Sequence, residues 1–280
     1  MDLVRELKVE DEEKALKFLG SCPESNVVLM HNIERFGMAR GSTPFGAFYF
    51  GRIRSGGRLS MLGALYGLGN LWFYSKSEKA MEGVASYLHQ KGNLPRSIEG
   101  KSTHARVLIS ELSNFSPMKW REDPHHLMVA TKVKRMKYLP CARPAREHEI
   151  PRLLSLTREM EIEQFGSVSS SEGFAAELLS MQINNGTCFV VEQCGEIVSK
   201  AEATIIEGKC AWLYGVYTSR EVRGCGYGTC CVASLCVSLL GKAPIVSLAV
   251  GKGNYQARSI YRKIGFRKKG DWLIASTLRL

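Results

Sequence analysis

The 280-residue sequence predicts an α/β (α+β) protein of two similar halves, each a mixed, mostly antiparallel sheet flanked by helices. Three observations lead there. Aromatic and β-branched runs such as "FGAFYFGRIRS", "LSMLGALYG" and "NLWFYSK" follow one another across Gly-Gly and Gly-Leu-Gly-Asn breaks, as strands of a meander do. Segments with helical spacing bracket those runs on both sides. The order helix, helix, three strands, helix, strand, helix, strand can be written twice along the chain, as an internal duplication would produce.

In the first half, residues 7–20 read as a helix after a short strand. Residues 25–37 read as a second helix, with Ser25 as N-cap and Gly37 as stop. The three strands come next, then a helix at about 77–90, a short strand near 95–99, a helix at 102–112 and a strand through "HHLMVATKVK". The second half opens after "YLPCARPAREHE", where Pro140 and Pro144 interrupt regular structure, so domains of 1–138 and 139–280 are expected. A helix follows with Pro151 in its first turn, then another capped by Ser171. "TCFVVEQ", "EIVSKAEATII" and "KCAWLYGVYTS" are strands turning at Cys194-Gly195 and Glu207-Gly208. A helix at about 227–240 ends at Gly241, "APIVSLAV" is a strand, and a last helix runs from Asn254 to Gly265 before a hairpin-like end.

Composition narrows the function. A 45% hydrophobic content is enough for packed cores, which argues against disorder. No apolar run is long enough to span a membrane, and the charged start lacks the apolar centre of a signal peptide. The nine cysteines lie mostly in apolar contexts, as buried free thiols of a cytoplasmic protein do; Cys230 and Cys231 are adjacent, which is not a metal-ligand spacing, and no His pair accompanies them. Thirty-eight Lys and Arg against twenty-seven Asp and Glu give a net charge of +11. That excess is spread along the chain, densest at "TKVKRMK" (131–137), without the aromatic interleaving that base stacking uses. Nucleic acid is therefore not the expected partner.

The sharpest signal is "VYTSREVRGCGYGTCC", residues 216–231. Gly224, Gly226 and Gly228 stand between a strand and a helix, where unpaired N–H groups and a dipole end can receive phosphate. A P-loop would need Gly-Lys-Ser/Thr, but Gly228 is followed by Thr229 and Cys230. A dinucleotide fingerprint would need a sixth-place glycine, and Thr229 stands there. The loop alone is either a phosphate cradle or a tight turn without ligand. The first half has no such loop: "NLWFYSK" runs straight into "SEKAMEGVASYL".

Arg223-x-x-Gly226-x-Gly228 resembles the pyrophosphate loop of the GNAT superfamily, the acyl-CoA-dependent N-acetyltransferases. Downstream, "NYQARSIYRKIGF" is similar to that superfamily's second motif through Asn254, Ala257, Tyr261 and Gly265-Phe266. The likeness covers about 143–280, and the whole chain resembles tandem GNAT proteins with a degenerate, cofactor-free first domain. It implies acetyl-CoA as cosubstrate, no metal, an amine acceptor, and direct attack of the amine on the thioester. It also implies site residues. Backbone N–H groups of Arg223, Gly224, Cys225, Gly226, Tyr227, Gly228 and Thr229 would hold pyrophosphate, with Arg223 alternatively pinning the loop. Val216, Tyr217 and Thr218 would pair with pantetheine amides. Asn254 would steer the arm or simply cap its helix, and one or two of the cations crowded near this motif, with Arg258 and Arg262 on one helix face, would meet the 3′-phosphate unless they are solvated charges. Tyr261 would protonate the departing thiolate unless it is a core residue.

The general base is open. Glu202 sits inside an apolar strand, on one face with Lys200 and Thr204, and is a base if that face meets substrate and a solvated residue if not. Glu159, Glu161 and Glu163 lie where the family lines its acceptor site. Two other readings stay open: a GNAT-fold module that binds acyl-CoA without turnover, and a tRNA-linked aminoacyl transferase.

Overall fold

The structure, a computed structural model, describes residues 3–38, 46–115, 119–134, 142–166, 168 and 171–278. The chain packs as two compact units. One comprises Met1–Leu127, Ala249–Gly253 and Lys268–Leu280; the other comprises Met128–Leu248 and Asn254–Arg267. The point between residues 138 and 139 falls outside the described residues.

In the first unit β1 (Leu3–Glu6) leads through a 3₁₀ turn into α1 (Glu12–Leu19) and α2 (Pro23–Phe36). Pro23 occupies the first turn of α2 and Cys22 is its N-cap, so the helix starts earlier than the expected Ser25. Gly37 stops it with φ +70°, a conformation that suits glycine. The strands β2 (Ala47–Ile53), β3 (Leu59–Tyr66) and β4 (Asn70–Ser75) form the expected antiparallel meander. The expected helix at 77–90 is split into a 3₁₀ turn at Glu78–Met81 and α3 (Val84–Gln90), because Gly83 takes φ +72° between them. β5 (Ser97–Lys101) runs parallel to β4, and α4 (Ser102–Leu112) follows it. β6 (Trp120–Ala130) starts earlier than "HHLMVATKVK" and tolerates Pro124 inside it. Phe50, Met61, Leu71, Met81, Leu88 and Ile98 are fully buried in this unit's core, each contributing about 1.5–3 kcal/mol by leaving water.

The C-terminal segment is not a hairpin. It is one strand, β12 (Arg267–Thr277), whose Trp272–Ser276 pair antiparallel with Lys101–Ser97 of β5. The sheet order here is β1-β2-β3-β4-β5-β12.

The second unit opens on an unexpected strand, β7 (Ala142–Pro144), pairing with β8 (Cys188–Gln193). Proline is tolerated there because the strand lies at the sheet edge. α5 (Ile150–Phe165) and α6 (Glu172–Asn184) follow, the latter capped as expected by Ser171, whose hydroxyl accepts the Phe174 N–H. β8, β9 (Glu196–Ile206) and β10 (Cys210–Thr218) are antiparallel, and β10 meets the start of β11 (Val246–Gly251) in parallel. α7 (Tyr227–Leu240) is apolar around most of its circumference, so it is a buried helix, packed on β8, β9 and β10. α8 (Tyr255–Ile264) completes the unit.

Both units share a device at their first turn. Arg5 holds Asp11 through two hydrogen bonds of 2.7 and 2.8 Å, and Asp11 also accepts the Lys8 N–H at 3.1 Å. Arg143 holds Glu149 at 3.1 and 2.6 Å, and Glu149 accepts the Arg146 N–H at 2.7 Å. Both arginine–acid pairs are six residues apart. The repeated order of elements is thus matched in its side chains.

Candidate active site

β10 passes through a 3₁₀ turn at Arg220–Val222 into the glycine loop and then α7. Gly224 and Gly226 take φ +87° and +86°, where a side chain would strain the backbone. Gly226 is the N-cap of α7, with no side chain to accept the first N–H groups and no acidic residue in the first turn. Among the described residues, none of the backbone N–H groups of Gly224, Cys225, Gly226, Tyr227, Gly228 and Thr229 donates to a protein acceptor. The loop is exposed through Gly226. A row of free donors at a helix N-terminus, with the positive dipole end behind it, suits an anion of the size of a pyrophosphate.

Arg223 faces the other way. Its guanidinium forms a fork on Glu163 at 2.9 and 2.8 Å, donates to the Thr218 carbonyl at 3.0 Å and lies 5.3 Å from the Tyr217 ring centre. Its own N–H is taken by the Arg220 carbonyl. The residue pins the loop, the second of the two roles open to it. Arg220 donates to the same carboxylate at 3.0 Å. Those two cations, Arg223 foremost, hold the Glu163 carboxyl down at about 2.

The strand feeding the loop is irregular where it matters. β10 is paired with β11 only at Ala211–Val246 and Trp212–Ser247, and its register against β9 shifts between Tyr214 and Tyr217. Gly215 sits in that bulge with φ +61°. Past Trp212, β10 pairs with β9 at Leu213, Tyr214, Tyr217 and Thr218 and has no register with β11 among the described residues, leaving that strand edge open at Val216, Tyr217 and Thr218. Tyr217 is buried in an apolar cluster under α5. Thr218 shares a 2.8 Å hydrogen bond with Ser199, and a Cβ on Gly228 would come within 3.0 Å of its hydroxyl. Gly228 thus permits close approach of helix to strand.

Glu202 is buried, which removes the solvated alternative; it is 5% exposed. Its Oε1 accepts a hydrogen bond from Lys200, which is fully buried and also donates to Thr157 Oγ1 at 2.8 Å. A Cβ on Gly215 would fall 2.6 Å from the carboxylate, so the Glu202 head group fills the space over the bulge. Directly across the ladder is Tyr214, whose hydroxyl accepts from Gln182 of α6 and from Thr204. Burial, reinforced by Glu202, pushes the Tyr214 phenol and the Cys188 thiol up. Glu159 lies 3.4 Å from Arg152, and Glu161 is buried.

On α8 the Asn254 side chain caps the helix by accepting the Ala257 N–H at 3.0 Å. Arg258 lies 5.3 Å from the centre of the exposed Tyr255 ring. Tyr261 is buried edge-on to Phe266, with centroids 5.7 Å apart, and burial pushes its phenol up. At neutral pH it is a neutral, proton-carrying group.

Sequence patterns pointed at the loop and the α8 motif but not at Lys200, Gly215 or the role of Glu163; their partners are distant in sequence and no local spacing announces them. Cys225 and Cys194 are exposed, unlike the expected buried thiols, whereas Cys188, Cys210, Cys230, Cys231 and Cys236 are buried. Among the described residues no cluster of three or more His, Cys, Asp or Glu could hold a metal ion, and no helix is long and apolar enough to cross a membrane.

Residues 153–266 match the model of the acetyltransferase (GNAT) family. No curated protein matches the chain. Among solved structures, a Drosophila protein of 12% identity aligns over 99% of each chain with a TM-score of 0.71. A GCN5-related N-acetyltransferase from Sphaerobacter thermophilus, 15% identical, covers 100% of this chain and 96% of its own at 0.65. A tandem GNAT protein from the clavulanic acid biosynthesis pathway, 12% identical, covers 99% and 98% at 0.59. At such identities the likeness is one of fold, and it runs the length of both units. With the family's own model falling on the strand, glycine loop and capped helix described above, the chain carries an acetyltransferase domain of the GNAT family in its second half.

Proposed function

We propose that the second unit transfers an acetyl group from acetyl-CoA to a primary amine by direct attack. The observation that carries this reading is the row of unpartnered N–H groups from Gly224 to Thr229 at the N-terminus of α7. A pyrophosphate would receive them, and a Cβ at Gly224 or Gly226 would meet only open space, so nothing of the protein fills the cradle. Acetyl-CoA, when bound, supplies an acyl group activated as a thioester.

The chain's own residues supply the rest. The open edge of β10 at Val216–Thr218 offers backbone groups to orient an amide-bearing arm. Asn254 holds the start of α8, and Arg258 adds positive charge to the same helix. Glu202 takes a proton from the incoming ammonium, leaving a neutral nitrogen with a free electron pair. Tyr261 gives its proton to the departing sulfur, and the second proton that the nitrogen loses as the amide forms restores the phenol through solvent; its raised phenol keeps a proton available at neutral pH.

The test is release of free CoA thiol from acetyl-CoA in the presence of a panel of small amines, amino acids and peptides. Amine-dependent release with a matching acetylated product supports the reading. Tight acetyl-CoA binding with no release for any amine would favour a module that binds without turnover.

A further inference from the structure

We propose that Lys200 is a positioning residue for Glu202: it keeps the carboxylate ionised in a buried site and ties one oxygen, leaving the other, the nearer of the two to the Gly215 bulge, to receive a proton. The inference rests on the reading of Glu202 as the proton acceptor. A lysine with no exposed surface is costly, because its ammonium has left water. Here the cost is met by two partners, Thr157 on α5 and Glu202 on the same strand. A buried ion pair of this kind is a poor source of stability compared with apolar residues of similar volume. Its placement is more informative. Glu202 Oε1 takes the ammonium, and Oε2 accepts no hydrogen bond among the described residues. That free oxygen lies within 2.6 Å of where a Cβ on Gly215 would be, against the bulge that interrupts β10.

The groups around Glu202 are Cys188 on β8, Lys200 and Thr204 on β9, Tyr214 on β10, and Thr157 and Gln182 on α5 and α6. Among the described residues that surround it, Lys200 is the cation in contact with the carboxylate. Cys188 and Tyr214 are pushed up by burial and stay neutral, so they cannot compensate the carboxylate. Without Lys200 a carboxylate in this setting would take a proton from water and arrive at the reaction already occupied. With it, the acceptor's ammonium passes one proton to Oε2, which later returns it to water.

The experiment follows the Glu202 proton directly, by infrared difference spectroscopy of the full chain carrying ¹³C-labelled glutamate, without acetyl-CoA. In the wild type, no neutral-carboxyl band that Glu202→Gln removes should exist at neutral pH. Lys200→Met should create one, and it should be absent from Lys200→Met/Glu202→Gln. In the amine assay Lys200→Met should lower turnover by at least about tenfold at neutral pH, recovering part of the loss at higher pH, with the acetyl-CoA dissociation constant held within about twofold. A Lys200→Met protein whose Glu202 stays ionised overturns the proposal, even if no amine is ever found. An active wild type with an unaltered pH profile in the variant overturns it too. If Lys200→Met does not fold, the double variant decides. Recovery of folding supports charge compensation as the role of Lys200, and failure of both makes the residue a packing element and ends the proposal.

Discussion

After β4 the chain enters its next helical turn at Ser77, whose hydroxyl accepts the Ala80 N–H at 3.3 Å, with Glu78 beside it. After β10 it enters α7 at Gly226, which has no side chain, and no acid follows in the first turn. The next helix start of the first unit, at Gly83, faces the carboxyl of Glu111, which burial pushes up and the Gly83 and Ala85 N–H groups partly hold down by hydrogen bonding to it. The first unit therefore meets its orphan helix donors with its own hydroxyl and carboxylate, and the second leaves them for something else. The parallel strand pairs differ in the same sense. In the first unit the pairing ends at Trp72–Glu99, where Trp72 lies 6.4 Å from Trp272 and the Trp272 N–H donates to Glu99. In the second it ends at Trp212–Ser247, with small Gly215 further along β10. One architecture can be closed by side chains or left open by glycine, and only the open version can hold an anion.

The largest expected effect comes from closing the open version. Gly226→Val puts a β-branched residue at φ +86° and disturbs several charge-assisted hydrogen bonds at once. At about 1.5–3 kcal/mol each, losing two or three should weaken acetyl-CoA binding by at least about 10²-fold. The matching change in the first unit, Gly83→Ala at φ +72°, should cost about 1 kcal/mol of stability and leave affinity within about twofold. If both variants lose affinity equally, the contrast between the units is wrong.

Tyr261→Phe should lower turnover by about 10²-fold, the lower end of general-acid effects, with little change in acetyl-CoA affinity. The ring stays to pack on Phe266, so thermal stability should hold. Unchanged turnover would return Tyr261 to the core alone.

Glu163→Gln should be milder. It loosens the Arg223 fork without touching the cradle, and a half-exposed ion pair of about 1 kcal/mol corresponds to about fivefold in affinity. The pH sign is set by the carboxyl being held at about 2 against an ordinary 4.5, chiefly by Arg223. The clamp is complete above 4.5 and is lost as pH falls toward 2, so affinity should fall as the pH is stepped down through that range. Calorimetric affinities at stepped pH would show it.

The smallest effect concerns the closed cleft. Burial pushes the Glu99 carboxyl up to about 7, partly offset by the Trp272 N–H. Its folded value lies above its unfolded one, so its contribution to stability falls as pH rises from 4.5 through 7. Glu99→Gln should therefore raise the melting temperature by a few degrees at pH 8 relative to wild type and by less at pH 4.5. An equal shift at both pH values would mean that ionisation of Glu99 is not the cause.

Much of this contrast was legible in the chain. Gly224, Gly226 and Gly228 after an apolar run marked the open helix start, and the lack of such a loop between "NLWFYSK" and "SEKAMEGVASYL" set the first half apart. Caps at Ser171 and Asn254 and stops at Gly37, Gly241 and Gly265 placed helix ends, because they act within one turn. Features that depend on distant partners were not legible. The C-terminal segment reads as a hairpin-like end, yet Trp272 pairs with Lys101, and local pattern cannot report a partner that far away. Arg223 matched a motif, but its fork on Glu163 is a tertiary fact. Glu202 was visible as an acid in an apolar strand; that Lys200 would turn inward to meet it was not.

The central claim, that the second unit alone keeps an open cradle for an acyl-CoA, is tested most directly by titrating the full chain with acetyl-CoA in a calorimeter, alongside Gly226→Val. The account predicts one site per chain, absent in the variant. Two equivalent sites, or a single site that survives Gly226→Val intact, would contradict it.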